Sequence, residues 1–253
     1  MIYIALAFVT VAFLYASVGF GGGSTYTAVL IESGMAYNLV PPVSLLCNIV
    51  VVTGGIFHFT RAGHLNLGFA FPLVITSIPA AFLGGYIRIE ESSFLITLGI
   101  ALLIAGTLMI LDRRWNSEIG ANRLFGMPIR LALGAVLGTL AGITGIGGGI
   151  YLAPVLHLMN LASARTVAAT CSFFILVNSI AGLSGQLIKL DDQIGALLNT
   201  SYLVLPLAVL IGGQFGSRLS ATWLSASPIR RLTGLDILII SFRLLWRVFL
   251  LNQ

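Results

Sequence analysis

The sequence predicts an all-α polytopic membrane protein of about eight transmembrane segments in two four-segment repeats, with broken glycine-rich helices in segments one and five. Three observations lead there. The chain of 253 residues is 58% hydrophobic and only 8% charged, against roughly 25% charged in soluble domains, and its mean hydropathy is +1.03. Its charges sit at the ends of long uncharged runs: no Asp, Glu, Lys or Arg occurs in 1–31, 33–60, 62–87, 92–111, 131–164, 166–188 or 193–217. Most of these runs reach the ~20 residues a spanning helix needs. Finally, a glycine cluster occurs twice at matched positions.

In chain order the apolar segments run over 2–31, 40–60, 66–87, 93–111, 130–157, 166–188, 195–217 and 232–251. The first begins "MIYIALAFVTVAFLYASVGF", has no basic n-region and stays apolar to Ile31. It reads as a span and not as a cleaved signal peptide. As one straight helix it would be about 45 Å long, against a hydrocarbon core of ~30 Å. It must tilt, project or break, and its glycines mark the easiest break. The eighth segment is the weakest, because it holds Asp236, Arg243 and Arg247. The one sizeable polar connection, Leu111 to Arg130, separates a first repeat (1–112) from a second (130–253) through a loop at 113–129. A β-barrel would show alternating strands of about 10 residues, and the sequence has no such alternation.

The halves correspond in detail. "SVGFGGGSTYT" (17–27) has its counterpart in "ITGIGGGIYLA" (143–153), with Gly19, Gly21, Gly22 and Gly23 matching Gly145, Gly147, Gly148 and Gly149 at a constant offset of 126 residues. Asn48 in "LLCNIVVVTGG" matches Asn178 in "ILVNSIAGLSG", and "SIPAAFLGGYIR" resembles "VLPLAVLIGGQFGSR". Duplicated bundles with broken segments are the layout of many secondary transporters, whose site lies at the repeat interface; duplication also suits channels. These segments, with the run "SARTVAATCSFFILVNSIAGLSGQL" and the 4+4 arrangement, resemble the TauE/SafE family of sulfite and organosulfonate exporters. The resemblance covers nearly the whole chain and is closer in the second half. In the first, "NLVPPVSLLCN" is a looser copy of the 164–171 pattern. It implies a transporter of sulfur-containing anions, expected in a bacterial inner (plasma) membrane.

A helix broken within hydrocarbon exposes N–H groups, which is tolerated only beside protein or a watery cavity. The half-helix after each motif would then point unpaired N–H groups and its positive dipole end into that cavity. Glycines let a ligand approach the backbone, and successive N–H groups form an anion-binding nest. The candidate substrate-binding residues are therefore Gly21, Gly22, Gly23, Ser24, Thr25, Thr144, Gly147, Gly148 and Gly149, with Asn48 and Asn178 facing the same cavity. The competing reading is that the glycines permit close helix packing and the amides make interhelical hydrogen bonds. Gln186, Gln214, Thr170, Ser172, Tyr26 and Tyr151 are weaker candidates.

Arg165 and Arg88 are candidates for attracting an anion or gating, or else interfacial anchors, with Glu90 and Glu91 near enough to pair with Arg88. Cys47 and Cys171 read as small core hydrophobes, and His58, His64 and His157 as structural residues near segment ends. No metal-ligand spacing or cofactor motif is present, and no basic patch suits nucleic acid. Asp236 and Arg243, seven residues apart on one helix face, are expected to pair.

The expected function is export of a small sulfur-containing oxyanion by alternating access. The expected partners are that anion and membrane lipid; no motif speaks to oligomeric state. With no carboxylate in a span outside the eighth segment, a proton- or sodium-coupled carrier is disfavoured. Expelling one negative charge from a negative interior gains ~2.3 kcal/mol per 100 mV without coupling. The alternatives are a permease or channel for another small anion or solute, including proton-coupled uptake. A metal-cation permease lacks ligands, and an intramembrane hydrolase lacks a mid-span histidine beside Ser24.

Overall fold

The computed structural model describes residues 2–111, 126–159, 161–190, 194–197, 200–222 and 226–251. The connecting loop expected at 113–129 lies outside the described residues up to 125. Among the described residues all regular structure is helical. The helices are α1 (Ile2–Ala16), α2 (Gly23–Glu32), α3 (Val40–Arg61), α4 (Leu67–Tyr86), α5 (Glu91–Leu111) and α6 (Met127–Thr144). They continue as α7 (Gly149–Leu158), α8 (Ala164–Leu190), α9 (Ile194–Leu197), α10 (Thr200–Thr222) and α11 (Ala226–Leu251).

Local chemistry explains several boundaries. Prolines stand in the first turns of α3 and α6, where the missing N–H costs nothing. The Asn66 side chain caps α4 by accepting from the Phe69 N–H at 3.1 Å. Five helices, α3, α4, α5, α6 and α8, are long and apolar enough to cross a membrane. The helix α11 has 26 residues but carries Asp236, Arg243 and Arg247. Large apolar side chains such as Phe71, Phe215, Phe242 and Trp246 are more than 60% exposed, a surface that suits lipid and not water.

Helices of the first half pack chiefly on helices of the second. The helix α4 lies against α6 and α8, α1 against α10, α5 against α11, and α3 against both α8 and α10. Small residues set the closest approach. A Cβ on Gly134, Gly138 or Gly142, one turn apart on α6, would run into the carbonyls of Leu73, Ser77 and Ala81 on α4. Gly212 and Gly216 of α10 meet Val9 and Phe13 of α1 in the same way. These glycines serve packing, as small residues do between membrane helices.

Candidate functional site

The two glycine motifs occupy the junctions α1–α2 and α6–α7. Each junction is followed by a helix of ten residues, and the N-cap glycines, Gly22 at φ 92 and Gly148 at φ 83, are both left-handed. An L side chain in that region costs roughly 1–2 kcal/mol. Space also forbids it: a Cβ on Gly22 would lie 2.7 Å from the Tyr26 ring, and one on Gly148 2.8 Å from the Phe174 ring. Neither N-cap has a side-chain hydrogen bond. The first N–H groups of any helix lack intrahelical partners, so both helices begin as uncapped donors.

The motifs adjoin. A Cβ on Gly23 would stand 3.0 Å from Ile146 Cα. Between them is a cavity of about 10 Å³ lined by Tyr15, Phe20, the stretch Gly21–Ser24, Ile146, Ile150 and Ile175. That is room for about one water.

Asn48, fully buried on α3, stands between the motifs. Its Nδ2 donates to the Gly145 carbonyl at 3.5 Å, and its side chain fills the space beside Gly21 and Gly23. Its Oδ1 has no partner. The other long helix does the same in reverse, because Ser172 Oγ on α8 donates to the Gly19 carbonyl at 2.9 Å. Gly19 and Gly145 are matched positions, each held by a polar side chain from the opposite half.

Asn178 behaves differently. Its Nδ2 donates to Phe174 O, one turn back on its own helix, at 2.8 Å. A Cβ on Gly147 would meet the Oγ of Ser179, the residue after Asn178, at 2.8 Å and Asn48 Nδ2 at 3.4 Å, and the Ser179 Oγ is buried and unpartnered. Thr144 donates to Leu140 O at 2.6 Å and approaches the Tyr151 hydroxyl at 3.5 Å. Tyr26 stacks on Phe8 with ring centroids 4.5 Å apart, and its hydroxyl lacks a partner. Gln186 donates to Gly142 O at 2.9 Å.

Ser24 and Thr25 belong to a network that joins the first motif to α11. Ser24 Oγ donates to the Tyr15 hydroxyl at 3.2 Å, and Tyr15 lies 2.8 Å from Thr25 Oγ1. Both Tyr15 and Thr25 donate to Asp236 Oδ2, at 3.1 and 2.7 Å. This overturns the expected Asp236–Arg243 pair. Arg243 instead meets Glu32 at the end of α2 at 2.5 Å, and Arg247 reaches Ile31 O and Glu91. Seven-residue spacing puts acid and base on one face, but closer partners on α1 and α2 take both groups.

The two arginine candidates stand at exposed helix ends, apart from the buried motifs. Arg165 opens α8, and Arg88 donates to Lys189 O at 3.2 Å, tying the end of α4 to the end of α8. Glu91, expected beside Arg88, is the partner of Arg247. Tyr15 and Ser179 carry no sequence signal, being ordinary members of helical runs, whereas the isolated acid at 236 was visible and only its partners were not.

A family model described as "Sulfite exporter TauE/SafE" matches residues 3–244. The chain is 32% identical over 248 residues to the probable membrane transporter protein y4hK of Sinorhizobium fredii, covering 96% of this chain and 97% of that protein. It is 24% identical to the probable membrane transporter protein YjnA of Bacillus subtilis over 218 residues, 80% of this chain and 85% of that one. No solved structure matches. With its long apolar helices, the chain is an integral membrane protein, and it belongs to the TauE/SafE sulfite exporter family.

Proposed function

We propose that this protein exports a small sulfur-containing oxyanion, sulfite or a sulfonate, across a bacterial inner membrane by alternating access. The anion is held between the N-termini of α2 and α7. The observation that carries the reading is the matched pair of uncapped ten-residue helices starting from left-handed glycines, the first lining a cavity with Gly22, Gly23 and Ser24 and the second reaching it through Ile150. Main-chain N–H groups at helix starts favour an oxyanion by both hydrogen bonding and dipole.

The packing supports eight crossings in two repeats. If α1 corresponds to α6, α3 to α8, α4 to α10 and α5 to α11, the contact of α1 with α10 maps onto that of α6 with α4. The contact of α3 with α10 likewise maps onto that of α8 with α4, while α3–α8 and α5–α11 map onto themselves. Such interlocking lets the halves rock about a site on their shared axis. With room for about one water, the cavity corresponds to a closed state, and admitting a sulfur oxyanion requires the motifs to separate.

Efflux of labelled sulfite from proteoliposomes tests this. The wild type is expected to empty the vesicles, and Gly22→Ala and Gly148→Ala, whose Cβ atoms also strain the fold, to abolish efflux by the fraction that still inserts and folds. Loss of folded protein in proportion to lost efflux would return the glycines to a packing role.

A further inference from the structure

Tyr15 OH, Thr25 Oγ1 and Asp236 Oδ2 form a triangle whose edges are 2.8, 2.7 and 3.1 Å. Each edge needs one hydrogen. With the carboxylate ionised, the two hydroxyls supply two hydrogens between them. If both point at Oδ2, the Tyr15–Thr25 edge sets lone pair against lone pair. A protonated carboxyl supplies the third hydrogen: one of the two hydroxyls then accepts from Oδ2 in place of donating to it, and the ring closes with every oxygen donating once and accepting once within it. Ser24 adds a donation to Tyr15 from outside the ring. Tyr15 and Ser24 are also walls of the cavity between the glycine motifs, so the carboxyl stands one hydroxyl behind the proposed anion position. An anion there and an ionised carboxylate repel.

Resting on the anion reading above, we propose that Asp236 is a proton-binding site that fills as the cavity takes its anion. One proton moves from water onto Asp236 Oδ2, forming one O–H bond and breaking none in the protein. Asp236 is half-buried.

Among the described residues, two arginines of α11 are paired. On α11 itself, Arg243 is held by Glu32 of α2, and Arg247 by Glu91 of α5 and the Ile31 carbonyl. Arg231 is exposed near the start of α11. Tyr26 is the other titratable group on α2, and Tyr15 is the one on α1 that reaches the carboxyl. Among the described residues no cation pairs with Asp236. Oxygen–oxygen edges this short suit hydrogen bonds better than a sodium ion seated among the three.

The test is a titration of the purified protein with methanesulfonate in weakly buffered detergent solution, repeated across the pH range in which it stays folded. Methanesulfonate remains ionised throughout, so any proton consumed goes to the protein. The wild type is expected to take up as much as one proton per anion bound, with affinity falling about tenfold per pH unit on the alkaline side, as one linked proton requires. Asp236→Asn is expected to abolish the uptake and flatten the pH profile, so that at alkaline pH it binds more tightly than the wild type. In the wild type, a protonated-carboxyl band should grow in the infrared difference spectrum as anion binds, whether or not the variant folds. Anion binding without proton uptake at any pH, or binding that depends on sodium, would overturn the proposal. Absence of any anion binding would instead overturn the anion reading on which it rests.

Discussion

The Asn48 amide of α3 reaches across to the carbonyl of Gly145, so that one half of the chain holds the glycine motif of the other. Ser172 and Gly19 repeat the arrangement in reverse. Asn48 Nδ2 has a second hydrogen, and a Cβ on Gly23 or Gly147 would stand 2.6 or 3.4 Å from that nitrogen.

Asn48→Leu keeps much of the side-chain volume and removes both donors. The loss of one interhelical hydrogen bond predicts a stability change of about 1 kcal/mol or less. Sulfite affinity is expected to fall about tenfold, the equivalent of ~1.4 kcal/mol. Thermal unfolding and equilibrium binding on the same preparation separate the two effects.

Glycines outside the motifs should answer in the opposite way. A Cβ on Gly142 strikes the Ala81 carbonyl, a main-chain atom that cannot step aside. Gly142→Ala is therefore expected to separate α4 from α6 and cost on the order of 1–3 kcal/mol by overpacking. The yield of folded protein on size exclusion should drop, with the affinity of the surviving fraction little changed.

The sequence showed helix ends better than helix partners. Arg61, Arg88 and Lys189 stand at or beside the ends of α3, α4 and α8, because a charge is costly in hydrocarbon and stable at its edge. The glycine motifs were visible because they recur at a fixed offset. What a side chain on those helices touches is decided by packing between distant segments, which no local pattern records. Asp236 and Arg243 looked like partners on one helix and went to different neighbours. Asn178 matched Asn48 by position, yet Ser179 is the residue that meets Gly147.

Glu32 and Arg243 form a close pair, but their side chains are 49% and 68% exposed. Exposed pairs are worth about 0–1 kcal/mol. Glu32→Gln should shift the thermal midpoint by no more than a few degrees and leave the pH profile of anion binding in place. That outcome would distinguish this pair from the Asp236 network on the same helix.

The central claim is that one anion is held by main-chain N–H groups of both motifs at once. The most direct measurement is the nuclear magnetic resonance spectrum of glycine-¹⁵N-labelled protein titrated with sulfite. The amides of Gly23 and Gly149 are expected to shift together along a single binding curve. Sulfite binding that leaves both amides unmoved, or moves them with unrelated affinities, would contradict it.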